Sequence, residues 1–262
     1  MSLSRRALFG LEPWADASSV PLITARGREA LVEELGPLAG EFGPIPLPQE
    51  GEVRISSNEN PLGPPPGAVA AIRESFLEAG RYPTNAQPSM GDLTNALADK
   101  HGCEPNNIVL GAGSGEILKN AAHAFTNKYR PMITGTPSYL APTRVARFLG
   151  AEVRAIPVYR ASGKLDLEAM ASAARGPSMI FVCNPNNPTS TVHTASDVRS
   201  FVSTVRRTSP NTVIHLDEAY HEYVTHPDYQ SAVGLAVETP NVFVTRTFSK
   251  CFGMAGMRIG YG

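Results

Sequence analysis

Short apolar runs alternate with stretches of helical periodicity along most of the chain. Ile108–Leu110, Met132–Thr134, Glu152–Val158, Ser178–Cys183, Val213–Asp217 and Val242–Thr245 are brief, largely apolar runs. That is the pattern of strands covered on both faces. Between them, 141–149, 166–174 and 195–207 read as helices, and the Gly-rich stretch Gly111–Gly115 opens another that runs through Phe125. Upstream, the spacing predicts a helix over Gly67–Ala79, with Val69, Ile72, Phe76 and Leu77 on one side, and a second over Gly91–His101. Strand–helix alternation of this kind predicts an α/β fold with a mostly parallel sheet. The first part of the chain is different. Residues 23–35 read as a short helix, and Gly36–Gly51, with Pro37, Pro44, Pro46 and Pro48, reads as an extended connector. The expected division is an arm and Pro-rich connector over 1–54 and one large α/β domain over 55–262.

Composition narrows the class. Of 262 residues, 42% are apolar and 18% charged, and the formal net charge is −1, which fits a globular domain with a sizeable core. Near-zero net charge argues against a nucleic-acid partner. No uncharged apolar run approaches the ~18 residues needed to cross a bilayer. Cys103, Cys183 and Cys251 lie far apart, so neither a zinc site nor a disulfide framework is expected, and a reducing compartment is. Ser4-Arg5-Arg6-Ala7-Leu8-Phe9 has the form of the head of a twin-arginine export signal, yet Glu12, Pro13 and Asp16 break the apolar stretch such a signal needs. A loose basic arm and a cytoplasmic protein are the preferred reading, with export the alternative.

In an open α/β sheet, ligands bind beyond the carboxyl ends of the strands, and four unusual groups fall there. Gly111-Ala112-Gly113-Ser114-Gly115-Glu116 joins a strand to a helix. It reads equally as a tight turn or as a phosphate cradle of backbone N–H groups. Asn184-Pro185-Asn186-Asn187-Pro188-Thr189 is either a rigid loop or a loop that aims an amide at a ligand. Asp217-Glu218-Ala219-Tyr220 places a carboxylate at the end of a buried strand, which is costly unless it is paired or serves a site. Thr247-Phe248-Ser249-Lys250, followed by Gly253, Gly256 and Arg258, flanks a lysine with hydroxyls. Taken alone, that lysine would be a solvated surface charge. Beside a phosphate site, a buried carboxylate and an arginine, it fits an amine that forms a Schiff base with a carbonyl cofactor. Together the groups match what pyridoxal phosphate requires: donors for its phosphate, a lysine for its aldehyde and an acid for its ring nitrogen.

With these motifs in place, the chain resembles the fold-type I pyridoxal-phosphate enzymes of aminotransferase class I/II, and in particular the histidinol-phosphate aminotransferase group. The resemblance runs from about Ile55 to Gly262. It rests on the four groups above together with Asn58-Glu59-Asn60-Pro61-Leu62-Gly63-Pro64, Arg81-Tyr82-Pro83, Thr136-Pro137-Ser138-Tyr139 and Arg246. It implies a three-layer α/β/α large domain and pyridoxal 5′-phosphate as cofactor. Lys250 would form the internal aldimine and shuttle the proton, and Asp217 would pair with the pyridine nitrogen. Asn187 and Tyr220 would bond the phenolic oxygen, with Tyr139 stacked on the ring. The turn at Gly113, Ser114 and Gly115, with Thr247, Ser249 and Arg258, would hold the phosphate. Asn60 would lie near the substrate entrance, and Tyr82 would reach the neighbouring site of a homodimer. The implied reaction moves an amino group between an amino acid, or an amino-alcohol phosphate such as histidinol phosphate, and a 2-oxo acid in a ping-pong cycle. A decarboxylase of amino-acid phosphates, a β-lyase and a non-catalytic cofactor-binding protein are the alternatives. The resemblance also implies a smaller C-terminal lobe beyond Gly262, so the 262 residues are expected to be a fragment that lacks it, with a truncated paralogue the alternative.

Overall fold

The computed structural model describes residues 55, 57–76, 80 and 88–262. The arm and connector over 1–54, the end of the first predicted helix with Leu77, and Arg81-Tyr82-Pro83 lie outside the described residues. A 7-stranded sheet forms the centre, in the order β1-β7-β6-β5-β4-β2-β3. Its strands are β1 Leu110–Ala112, β2 Met132–Thr136, β3 Val153–Pro157, β4 Met179–Cys183, β5 Val213–Asp217, β6 Val242–Thr247 and β7 Ile259–Tyr261. Strands β3, β2, β4, β5 and β6 pair in parallel. Strand β7 runs antiparallel between β6 and β1.

The helices are α1 Pro66–Ser75, α2 Pro88–His101, α3 Ser114–Phe125, α4 Ala141–Phe148, α5 Leu167–Ala173, α6 Ala195–Thr208 and α7 Val233–Glu238. Alternation along the strands divides the core into two sides. Ile133, Ile180, Val182, Ile214, Leu216, Val242 and Val244 pack with Met170 of α5, Val198, Phe201 and Val205 of α6, and Leu235 of α7. Met132, Met179 and Phe243 point the other way, toward Ala121 and Ala122 of α3 and Ala146 of α4. Leu118 of α3 meets Phe181 and Cys183 on that same side. The result is the predicted three-layer α/β/α arrangement with a mostly parallel sheet.

Element ends differ from expectation for local reasons. The first strand starts at Leu110 and not at Ile108, because Pro105–Asn107 forms a 3-10 turn whose carbonyl at Pro105 takes the Ile108 N–H. Helix α6 begins where Thr194 and Asp197 form a reciprocal capping box. Helix α1 forms as the periodicity predicts, but none of its residues is buried, and Phe76 beyond it is 70% exposed. Helix α7 and strand β7, at 6 and 3 residues, are too short for periodicity to mark them. They are set by packing on β6 and by pairing with Gly111 and Thr247.

Candidate active site

The carboxyl ends of β1, β2, β4, β5 and β6 converge on a cavity of about 570 Å³. Ser114, Gly115, Tyr139, Asn187, Asp217, Tyr220, Thr247, Ser249, Lys250 and Arg258 all line it. Three candidates stand outside that lining. Gly113 lies directly behind it, Asn60 anchors the segment that crosses it, and Tyr82 is outside the described residues. A larger cavity of about 770 Å³ adjoins through Asn58, Asn187 and Tyr220. It holds neither Lys250 nor Asp217, so the chemistry belongs to the smaller one.

The anion end is built at the start of α3. Gly113 has φ +75°, and a Cβ there would run into the Arg258 guanidinium, so glycine is what lets the arginine close over the turn. Arg258 donates from Nη1 to the Ala255 carbonyl at 2.8 Å and to Ser249 Oγ at 3.3 Å, and from Nη2 to the Ala112 carbonyl at 3.3 Å. Thr247 Oγ1 donates to Ser249 Oγ at 2.9 Å and accepts from the Ser249 N–H at 3.1 Å. Hydroxyls, a guanidinium and the free N–H groups of a 12-residue helix thus meet at one place, which is the donor set a phosphate dianion takes.

Asp217 ends β5 and is 2% exposed. Thr245 Oγ1 donates to its Oδ1 at 2.9 Å. Burial pushes this carboxyl up to about 7, against the Thr245 hydroxyl, the Ala219 N–H and the nearby Lys250 ammonium, which favour the ionised form; Glu218 adds to the rise. Such a group is short of a cationic partner. Lys250 Nζ donates to the Ser57 carbonyl at 2.8 Å and stands 5.6 Å from the centre of the Tyr220 ring. Its pKa is lowered, first by burial and then by Arg258, while Glu59 and Asp217 oppose the shift. The Tyr220 hydroxyl accepts from Asn58 Nδ2 at 2.9 Å and from Asn187 Nδ2 at 3.3 Å. With both lone pairs used, its own proton is left to donate.

Three features give this constellation its rigidity, and the motifs by themselves did not assign them. Glu218 is buried against Arg246, with Nε and Nη2 at 3.0 and 2.8 Å from Oε2, and it also accepts from Ser231 Oγ and the Ala232 N–H. This fully bonded pair locks the end of β5 to β6. The segment through Asn58 and Asn60 lies against the Lys250 loop. Asn60 Nδ2 donates to the Cys251 carbonyl at 2.9 Å, and Gly253, at φ +65°, leaves room for the Gly63 carbonyl where a Cβ would collide. Thr245 and His215 lie behind Asp217, with the His215 Nε2 at 2.8 Å from Thr245 Oγ1. A histidine two positions before Asp217 in a strand points to the same side as Asp217, and that was the one available signal.

Residues 50–262 match the family described as aminotransferase class I and II. A histidinol-phosphate aminotransferase of Symbiobacterium thermophilum is 39% identical over 211 residues, which cover 80% of this chain and 56% of that enzyme. The solved histidinol-phosphate aminotransferase of Sinorhizobium meliloti, in complex with pyridoxal-5′-phosphate, superposes with a TM-score of 0.69 at 30% identity, covering 78% of this chain and 54% of that one. A solved protein from Erwinia carotovora atroseptica gives a TM-score of 0.75 at 33% identity, covering 81% and 60%. The chain therefore spans just over half the length of the curated relatives it matches. The family works with pyridoxal phosphate, and no described helix is long and apolar enough to cross a membrane. With 213 consecutive residues matched, this chain belongs to the class I and II aminotransferases.

Proposed function

We propose that the chain is the cofactor-binding part of a pyridoxal-phosphate-dependent aminotransferase that accepts an amino-alcohol phosphate such as histidinol phosphate, or an amino acid, and passes the amino group to a 2-oxo acid. The observation that carries this reading is that one cavity holds Lys250, the buried Asp217 and the anion end at Ser114 and Arg258.

The residues fit the cofactor. Ser114, Gly115, Thr247, Ser249 and Arg258 would hold its phosphate, Asp217 its ring nitrogen, Asn187 and Tyr220 its phenolic oxygen, and Tyr139 its ring face. When bound, pyridoxal phosphate supplies an aldehyde that takes up amines and a ring that draws electrons from the substrate Cα. Asp217 is the group that keeps the ring nitrogen protonated. It is buried and has a raised pKa, so a cationic partner is what returns it to the ionised form. Lys250 is the amine whose lowered pKa leaves more of it neutral, which suits both nucleophilic attack and carrying a proton at Nζ. Tyr220 has its oxygen saturated by two amides, so it orients as a donor. The segment through Asn58 and Asn60 lies beside Lys250, whose Nζ donates to the Ser57 carbonyl.

The ping-pong order, the domain division at 54/55 and a homodimer with Tyr82 reaching across belong to the same proposal. Its support is the similarity to histidinol-phosphate aminotransferases. The test is to incubate the chain with pyridoxal phosphate, histidinol phosphate and a 2-oxo acid. The expected result is amination of the oxo acid with parallel double-reciprocal lines. Release of carbon dioxide or ammonia without amination of the acceptor would replace transamination by decarboxylation or elimination.

A further inference from the structure

His215 is fully buried in the layer between the sheet and α3. Its ring stacks on Phe243, with centroids 4.2 Å apart and planes at 26°, and meets Phe181 edge-on at 5.3 Å. Among the described residues no charged group offsets the burial that pushes it down to about 3, which favours the neutral imidazole. Among the described residues, Nδ1 has no hydrogen-bond partner, while Nε2 lies 2.8 Å from Thr245 Oγ1. A buried nitrogen without a partner is costly, and an aliphatic residue at this strand position would avoid that cost. The arrangement is understandable if the other nitrogen does something an aliphatic residue cannot.

The proton count shows what that is. Thr245 has one hydroxyl proton, and it goes to Asp217 Oδ1 at 2.9 Å. The same oxygen can then face His215 Nε2 only as an acceptor, which fixes the imidazole as the Nε2–H tautomer. The chain His215 Nε2–H to Thr245 Oγ1–H to Asp217 Oδ1 has a single polarity, and each bond in it strengthens the next. The other groups facing Asp217 are Glu218, Lys250, Cys183, Tyr139 and Tyr220, and Lys250 is the only cation among them.

We propose that His215 is a positioning residue for the cofactor site: through its Nε2–H it commits the Thr245 hydroxyl to Asp217, holding that carboxylate in one orientation and in the form that receives a protonated ring nitrogen. This rests on the reading of Asp217 as the partner of the pyridine nitrogen. It predicts a buried neutral histidine whose tautomer is set by the site and whose loss is felt in cofactor affinity.

Two measurements test it. The first is 15N NMR of the unloaded 262-residue chain, whose 6 histidines are assigned in the parent by correlating each ring with its own backbone signals. The expected signal for His215 is an Nε2–H tautomer at about pH 8, where Asp217 is ionised, and a ring that stays neutral down to about pH 5. An Nδ1–H tautomer at about pH 8, or titration near the ordinary histidine value, overturns the proposal. This arm needs only the parent fold, so it decides even if a variant fails to fold. The second is pyridoxal phosphate affinity, followed by fluorescence titration. Thr245→Val and His215→Leu are expected to weaken binding by about tenfold and about threefold respectively, with Thr245→Ser near the parent. Parent-like affinity in both Thr245→Val and His215→Leu, with Asp217→Asn clearly weakened, overturns the relay and leaves the role of Asp217 standing. Parent-like affinity in Asp217→Asn itself overturns the reading of Asp217, and the relay falls with it.

Discussion

Asn60 and Cys251 are 191 positions apart in the chain, yet the Asn60 Nδ2 donates to the Cys251 carbonyl at 2.9 Å. The bond fastens the segment above the cavity to the residue that follows Lys250. Asn60 Oδ1 also accepts the Leu62 N–H at 3.0 Å, so one amide satisfies two backbone groups. Asn60→Ala removes both bonds. It should destabilise the chain by about 1–2 kcal/mol and weaken pyridoxal phosphate binding severalfold, because Lys250 loses the fixed Ser57 carbonyl above it. Thermal melts and a cofactor titration check both. Unchanged affinity would show that the segment does not shape the site.

The Glu218–Arg246 pair predicts a strong asymmetry between single and double variants. Both side chains are nearly inaccessible, at 2% and 4% exposure. Arg246→Met leaves a buried carboxylate held by Ser231 and Ala232, with His221 Nδ1 3.9 Å away, and should cost about 3–5 kcal/mol. Adding Glu218→Gln to it should recover a large part of that loss, since the uncompensated charge is then gone. Urea denaturation of the parent, the single variant and the double variant measures this. A double variant no more stable than Arg246→Met would contradict it.

Asp217 should make the unloaded chain less stable as pH rises. Its folded value, about 7, lies above the ordinary 3.8. Between these values the folded chain holds a proton that the unfolded chain has released. Stability therefore falls with rising pH across that window, and the full penalty is present above it. Asp217→Asn carries no such penalty. Without cofactor it should be more stable than the parent near pH 8, by on the order of 4 kcal/mol, with no advantage near pH 4. The same substitution should weaken pyridoxal phosphate binding, so stability and function move in opposite directions. Equal stability of the two proteins at both pH values would show that the carboxyl is not desolvated.

Arg258 offers a test that separates the two ends of the cavity. It is reached through the left-handed residue conformation at φ +54° and grips the Ala112 and Ala255 carbonyls and Ser249. Arg258→Ala should weaken binding of pyridoxal phosphate by about tenfold to a hundredfold, the range of a charge-assisted contact to phosphate. Binding of pyridoxal, which lacks the phosphate, should change little. Equal losses for both ligands would mean that the arginine shapes the cavity as a whole and does not read the phosphate.

Much of the fold and of the cavity is legible in the sequence. The double-buried strands announced themselves as short apolar runs, because residues packed on both sides leave no polar positions to blur the signal; Val213–Asp217 has the same ends in both descriptions. The four chemical groups were legible because each sits at a strand's carboxyl end, where composition changes abruptly. The supporting contacts were not. Arg246 finds Glu218 across 28 positions, and Asn58 finds Tyr220 across 162. Nothing local distinguishes those residues from solvated ones. Helix α7 was missed because Val233–Glu238 is a single short stretch without a full period. Periodicity places Val69, Ile72 and Phe76 on one side of α1 but does not say what covers them, and the structure leaves Phe76 exposed.

The central claim is that Lys250, Asp217 and the turn at Gly113–Gly115 form a working pyridoxal phosphate site. The visible absorption spectrum of the purified chain with added pyridoxal phosphate, measured beside Lys250→Ala, tests it most directly. The account predicts a new cofactor band in the parent that is discharged by an amino donor and is absent from the folded Lys250→Ala variant. A folded parent with no such band, or a variant that shows the same band, would contradict it.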